Sequence, residues 1–600
     1  MITEDKAMTE PRRIFEEWEK GSEYKSQIGR LGIFEQAKMN ERFFVGDQWY
    51  GAACGNERPL VRRNIIKRIG EYKMSAVGAA PLTVNYSAQG IPLGGDTAER
   101  AGEIRQKIAA GEWKAAGEQP SGAEISVIMA ALTDYGKICA ERVGFELKSE
   151  QLLRNAYISG TGIAYTYWNP DIKTGLFADT RQTKPILGDI AFEIADVENV
   201  VFGDPNSDDV QSQPYILIAQ RTNIAAVRRE AQASGENPSL IVADGTPRYS
   251  AGERGEREPD GSERVTVITK FYRIWDEEGG RYRIMAVKVT KNATVRAAVD
   301  TGLTLYPLAV FRWENRRSSA YGDSEITYLI PNQIAINRML TAECWSAISV
   351  GMPKLLVNND MVDPDTEITN DPGQIIRMNV GYDGSMSNAM QYVAPPYWAA
   401  QYRSAVEDLA SGTTSYAGAN DAALGNVRPD NAAAIIEMRE AALQPMQLYR
   451  NRYYAFVEDI ARIWADFWLS RYAGRPLTVQ GENGTVHIPF DPSRYGNLTL
   501  TARVDVGASS LWSEAVVVSA LDGLLKAGII TPKQYLERMP KGIIPKSEEL
   551  IAELSNPAQE RLAAEDIEQE LKMRYPQEYG QYTRLNEQER QEASTAEATE

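Results

Sequence analysis

A single histidine, His487, and three cysteines stand in a chain of 600 residues. One imidazole alone supports neither a three-ligand zinc site nor a serine–histidine couple. Cys54, Cys139 and Cys344 are widely spaced, odd in number and outside any metal-spacing motif, so they are expected to be reduced and structural. No G-x-x-x-x-G-K-[ST] run is present to cradle a nucleotide phosphate, which argues against a P-loop ATPase. No apolar run reaches the ~18 residues of a membrane helix, and the opening MITEDKAMTEPRR lacks the apolar core of a signal peptide. A product made in the cytoplasm, without a membrane partner, is the expectation. Positive charge is also short: 65 Lys and Arg against 82 Asp and Glu give a formal net charge of −17. That balance argues against gripping nucleic acid over the whole surface, because phosphate binding draws on cations. It leaves open a conduit, where strongly bound phosphates would have to be released at every step. Acidity that simply maintains solubility fits the same number.

Chemistry is sparse in what remains. The pairs Asp208/Asp209 and Asp363/Asp365 have the side chains for Mg²⁺ and nuclease work, but both sit in Asp-Pro turns, where solvated loop carboxylates are the simpler reading. The turn DPNSDD lacks the ligand ladder and terminal Glu of an EF-hand. No enzyme activity, metal or cofactor is expected.

The chain is 43% hydrophobic and 24% charged, ordinary for a globular protein with several cores. Residues up to about 38 read as a charged helix packing through Phe15, Trp18 and Tyr24. After the aromatic NERFFVGDQWYG, Ile65, Ile66, Ile69 and Met74 alternate with Arg62, Arg63, Lys67, Arg68 and Lys73, an amphipathic helix leading to the strand PLTVNY. Its basic face suits a solvated surface, nucleic acid or an acidic neighbour. One helix is expected from 125 to about 159, closed by Gly160 and Gly162 ahead of the strand IAYTYW. GDIAFEIADVENVVFGDP reads as a strand pair, and VTVITKFYRIW, RYRIMAVKVT and ATVRAAV as antiparallel strands with DEEGG as a turn.

The segment 395–472 reads as a helix, a small-residue loop and a much longer helix. Pro395-Pro396 opens the first helix, and Gly412 is expected to close it. SYAGANDAALGNVRPDN has few bulky anchors and should project. The second helix places Tyr449, Tyr453, Phe456, Ile460, Ile463 and Phe467 on one face. Unbroken from 431 to 471 it would span about 60 Å at 1.5 Å per residue, with a kink expected at Pro445. After it, PLTVQ, GTVHIPF and LTLTARVDVG return to strands. Helices follow from 513, Thr531-Pro532 having the form of an N-cap with proline at the first helical position. The polar tail 556–600 reads as a helix fading into disorder.

Upstream, YPLAVFRWENRRSSAYGDSEITYLIPNQIAINRML joins an apolar strand through Tyr321-Gly322 to a helix carrying Gln333 and Asn337. This order resembles the bacteriophage portal protein family, in which a strand leads through a tyrosine-glycine turn into a stem helix. A small clip, a second stem helix, a tunnel loop and a long kinked helix follow, and residues from about 40 to 512 can be laid on that plan. The GDQW element and basic helix resemble the start of the portal wing. The resemblance implies an α+β, portal-type fold in eight parts: an N-terminal helical segment (1–39), the first part of a mixed α/β wing (40–319), a stem helix (320–351), a small α/β clip (352–394), a second stem helix (395–415), a tunnel loop (416–431), the long kinked helix and return to the wing (432–512), and a helical crown with an acidic tail (513–600).

It implies a homo-oligomeric ring, a dodecamer when assembled, at one capsid vertex of the virion and built in the host cytoplasm. Double-stranded DNA passes through such a ring in packaging and ejection. The implied partners are terminase, the major capsid and scaffolding proteins, and later head-completion and tail adaptor proteins. Stem packing falls to Ile326, Ile330, Ile334 and Leu340, and motor docking to the clip residues Asp363, Asp365 and Asp371. DNA contact in the channel falls to Asn420, Asp421, Asn426 and Arg428, although a salt bridge from Arg428 to Asp430 or to a neighbouring subunit is an equal reading. A packaging-associated nuclease and another head–tail adaptor ring are the alternatives.

Overall fold

A computed structural model describes residues 9–28, 31–49, 60–78, 83–88, 96–109, 120–177, 183–244, 263–277, 280–351, 355–358, 360–362, 375, 390–392, 400–419, 444–472, 475–481, 484–495, 500–505, 521–526, 528 and 530–539. The chain divides into two compact units, Met1–Asp505 and Val506–Glu600.

The first unit is mixed α+β. Helix α1 (Pro11–Gln27) begins with proline in its first turn, where the missing N–H costs nothing, and buries Ile14, Phe15 and Trp18. Its last turn buries Lys25, whose ammonium donates to the carbonyls of Val197 (3.1 Å), Glu198 (2.6 Å) and Val200 (3.1 Å). Burial pulls that lysine's pKa down to about 7. Helices α2 (Gly32–Val45) and α3 (Ile65–Gly78) follow, then β1 (Thr83–Ala88) and α4 (Asp96–Ala109). The single helix expected from 125 to 159 is two, α5 (Gly122–Val143) and α6 (Phe145–Ser159). Gly144 between them has φ +64, a left-handed conformation that ends one helix and lets the next start in a new direction.

Gly160 (φ +84) then turns α6 into β2 (Thr161–Phe177). The next strands are β3 (Pro185–Ala195), β4 (Val200–Phe202) and β5 (Tyr215–Asn223), followed by α7 (Ile224–Ala233). β6 (Arg264–Asp276), β7 (Arg281–Val289), β8 (Thr294–Asp300) and β9 (Leu308–Arg312) come after it. Two sheets result, with strand orders β3-β2-β9 and β4-β5-β6-β7-β8, antiparallel throughout. Ile14, Phe15 and Trp18 of α1 pack on one face of the larger sheet against Leu217, Ile268 and Val287.

Two short strands, β10 (Glu314–Asn315) and β11 (Gly322–Asp323), close the turn that holds Tyr321-Gly322. The turn is locked against the α6–β2 junction: Trp313 N–H donates to Gly160 O (3.0 Å) and Gly322 N–H to Thr161 Oγ1 (2.9 Å). A Cβ on Gly160 would lie 2.6 Å from the carbonyl carbon of Asp323, so the site admits only glycine. From here the chain runs into α8 (Ile326–Gly351), crosses to β12 (Leu355–Val357), pairs it antiparallel with β13 (Met390–Tyr392), and returns through α9 (Ala400–Tyr416). Asn332 near the start of α8 donates to Thr413 Oγ1 near the end of α9 (3.1 Å), so the two helices run as an antiparallel hairpin.

Gly412 does not close α9. The helix continues to Tyr416, with the hydroxyls of Thr413 and Thr414 bonded back to the carbonyls of Leu409 and Ala410, and Gly418 (φ +74) marks its end. A glycine inside a helix weakens it without ending it when no left-handed turn is required there. At Pro445 the backbone forms a single 3-10 turn, Gln444–Met446, ahead of α10 (Gln447–Arg471). Residues 431–443 of the expected long helix lie outside the described residues. α10 threads the core, burying Tyr453, Phe456, Ile460, Ile463, Phe467 and Trp468. Trp468 meets Tyr86 and Tyr135 edge-on, each with ring centroids 5.5 Å apart. The strands β14 (Pro476–Gly481) and β15 (Gly484–Pro489) form a hairpin, and β16 (Leu500–Asp505) pairs with β1.

In the second unit residues 521–526 are helical. A helix Pro532–Arg538 starts with a capping box between Thr531 and Gln534, and Tyr535 OH donates to Asp522 Oδ1 (2.6 Å).

Candidate functional site at the base of the helical hairpin

The base of the α8–α9 hairpin gathers residues from five parts of the chain. The helix pattern of α3 turns Lys73 inward among isoleucines, and burial of an ammonium demands an acid. Glu325, immediately before α8, supplies it: Lys73 Nζ lies 2.6 Å from Glu325 Oε1, and both residues are buried. Trp313 Nε1 donates to the second oxygen of Glu325 (3.4 Å). Burial holds the Glu325 carboxyl above the usual carboxylate range, while the lysine works the other way. The Lys73 ammonium also sits over the ring of Tyr449, 5.5 Å from its centroid. Tyr449 OH in turn donates to Glu314 Oε1 (2.9 Å), and burial beside those two carboxylates pushes the phenol's pKa up.

A cleft of about 420 Å³ opens beside this cluster, lined by Lys73, Glu314, Glu325, Tyr449, Tyr328 and Tyr416 and closed by Gly418 and Pro445. It therefore lies where the hairpin's return helix ends and the 3-10 turn at Pro445 leads into α10. Tyr328 and Tyr416 stand at the cleft largely uncovered, 60% and 85% exposed. Tyr328's phenol is raised chiefly by the Asp323 carboxylate, which is held bidentate by Arg316.

Behind the cleft, three amide side chains tie α8 to the chain's first hundred residues. Gln333 Oε1 accepts from the N–H of Ile65 (3.0 Å) and Ile66 (3.4 Å), capping the start of α3 from outside that helix. Gln333 Nε2 donates to Arg63 O (2.7 Å) and to Asn337 Oδ1 (2.9 Å). Asn337 Nδ2 passes the connection to Gln48 Oε1 (2.6 Å). Gln333 and Asn337 are each 1% exposed, so every polar atom here needs the partner it has.

Of the residues singled out from sequence, Ile326 and Ile330 lie in this chain's own core, and Ile334 and Leu340 pack half-buried against it. Asn420, Asp421, Asn426 and Arg428 lie outside the described residues, as do Asp363, Asp365, Asp371 and Cys54. Asp208 and Asp209 sit in a turn braced by Gln213 and by Arg312, which donates to Asp208 O. His487 is in β15, opposite Thr478. The basic face of α3 divides: Arg62, Arg63, Lys67 and Arg68 are exposed, and Lys73 is buried.

The Lys73–Glu325 pair and the Gln333 cap were missed. Lys73 lies seven residues after Ile66, two helical turns on along an apolar edge, a signal that was there to be read. Nothing local linked it to Glu325.

Among the described residues no group of three or more His, Cys, Asp or Glu side chains is placed to hold a metal ion. No described helix is long and apolar enough to cross a membrane. The site's charged atoms are engaged in pairing and positioning. No protein-family model matches the chain, and no curated protein sequence matches it significantly.

Proposed function

We propose that the chain is a subunit of a phage portal: a homo-oligomeric ring at one capsid vertex through which double-stranded DNA is packaged and later ejected. The observation that carries this reading is the excursion between β11 and α10. The chain leaves a mixed α+β core through a 26-residue helix, makes a small antiparallel strand pair, and returns through a second helix; α10 later starts from a 3-10 turn at Pro445. This order of elements supports reading them as the stem, clip and second stem of the family the sequence resembles.

The far half of the excursion leaves large apolar side chains uncovered by its own chain. Ile348 is 42% exposed, Leu356 58% and Tyr392 64%. Such surface supports a hairpin that is covered in an assembly. In this reading the clip docks terminase, which hydrolyses the ATP, and the crown belongs to residues 513–600.

Electron micrographs of the purified chain test the proposal. Rings with a central channel are expected. Monomers at all concentrations, or Mg²⁺-dependent cutting of DNA by the purified protein, would replace it with the nuclease reading. Rings seen in particles only between head and tail, outside the capsid vertex, would replace it with the adaptor reading.

A further inference from the structure

The cleft at the hairpin base carries a sign. Its lining holds two carboxylates, Glu314 and Glu325, and one ammonium, Lys73. Lys73 is spent on Glu325 at 2.6 Å, so the excess negative charge rests with Glu314, which accepts only a neutral phenol hydroxyl from Tyr449 among the described residues. The walls are tyrosine rings, whose faces attract cations. One of them, Tyr449, already lies beside the Lys73 ammonium at 5.5 Å and the Arg452 guanidinium at 5.7 Å. The other two, Tyr328 and Tyr416, are exposed, and an anion approaching them would meet Glu314. Phosphate and carboxylate ligands are disfavoured, and a flat or tetrahedral organic cation is favoured.

We infer that this cleft receives a cationic side chain, guanidinium or ammonium, from a second copy of the chain. The inference rests on the ring reading and names one contact within it. Charge complementarity points to a second copy, because the same region displays the matching group. Arg317 is exposed on the β10–β11 turn, where Ser318 holds a left-handed φ of 50°; Arg338 is exposed on α8, and Arg403 is exposed on α9, where it pairs with its helical neighbour Glu407. A cleft on one copy and a projecting cation on another make a head-to-tail contact of the kind that closes rings. Desolvation between tyrosine faces strengthens the charge pairing relative to an open surface pair.

Mass photometry of the full chain over a range of salt concentrations tests this contact. Glu314→Gln and Tyr416→Ala are each expected to weaken subunit association roughly tenfold, and Glu314→Gln to flatten its salt dependence. Both should leave the thermal unfolding of the dissociated chain unchanged. Glu103→Gln, at an exposed carboxylate elsewhere, should assemble like the parent. Arginine amide added to the parent should lower its ring fraction and leave Glu314→Gln unaffected. Rings of Glu314→Gln and Tyr416→Ala that match the parent at every salt concentration, with no effect of arginine amide, overturn the proposal and leave the ring reading standing. A parent chain that never assembles overturns both.

Discussion

Lys73 and Glu325 meet with little water to fall back on, both being buried at the back of the cleft. Breaking such a pair from one side strands the other charge, which typically costs about 3–5 kcal/mol. Lys73→Met is expected to lose about that much in urea denaturation, and the double variant Lys73→Met/Glu325→Leu to recover most of it, because no buried charge is left. The pH dependence follows from the raised pKa of Glu325. Its folded form holds a proton over a range in which the unfolded form has released it, so stability falls as pH rises from the unfolded value through the folded one. Removing Lys73 takes away the group that opposes the shift and widens that window. The deficit of Lys73→Met should therefore be smaller near pH 5 than near pH 8; an equal deficit at both would mean that Glu325 finds another cation. Gln333 makes a related case with neutral groups. Gln333→Leu leaves the Ile65 N–H and the Arg63 carbonyl unpaired in the core, at a cost of roughly 2–4 kcal/mol, while Gln333→Glu keeps the acceptor and loses the donor.

At the scale of elements, two glycines with similar dihedral angles do different work. Gly144 and Gly160 both end helices in the left-handed region. Around Gly144 there is open space, so Gly144→Ala should cost only the left-handed penalty, about 1–2 kcal/mol. At Gly160 a methyl group collides with the backbone of the Tyr321-Gly322 turn, so Gly160→Ala adds overpacking and should cost on the order of 4 kcal/mol. Equal melting temperatures for the two variants would refute this difference. The helix α8 divides along its length in a similar way. Ile326 is fully buried in the chain's own core, whereas Ile348 and, beyond the helix, Leu356 are exposed. Ile326→Asp is expected to unfold the protein. Ile348→Glu with Leu356→Glu should leave monomer unfolding unchanged and reduce assembly. Ile334, half-buried against the chain's own core, mixes the two effects and separates them less cleanly.

For the whole molecule, the proposal concerns what the chain does in an assembly, and its tests use particles. Arg428→Ala in a portal ring is expected to leave assembly intact and to alter the length or retention of packaged DNA. Parent-like packaging at low and high salt alike would remove Arg428 from contact with DNA. Deletion of 363–371 is expected to keep rings and abolish terminase capture in a pull-down. The net charge of −17 agrees with a conduit that touches DNA briefly, since each neutralised phosphate adds a counterion-release step to be reversed on departure.

Periodicity and punctuation in the sequence determined the elements. The face Tyr453, Phe456, Ile460, Ile463 and Phe467 is the buried face of α10, and Thr531 caps a helix that has Pro532 in its first turn. These are local facts, fixed by side-chain spacing and by backbone donors within a few residues. Tertiary structure alone decided the rest. Lys73 belongs to a basic run and reads as surface; only the approach of Glu325, 252 residues away, makes its burial tolerable. The start of α3 carries Asn64 as its local cap, yet the N–H groups of Ile65 and Ile66 are satisfied by Gln333, 268 and 267 residues on. The helix expected to end at Gly412 runs past it, because a glycine ends a helix only where a left-handed turn is needed, and that turn falls at Gly418. Sequence spacing encodes which face of an element is apolar, but not which distant group will meet a charge on that face. That pairing depends on the packing of elements far apart in the chain.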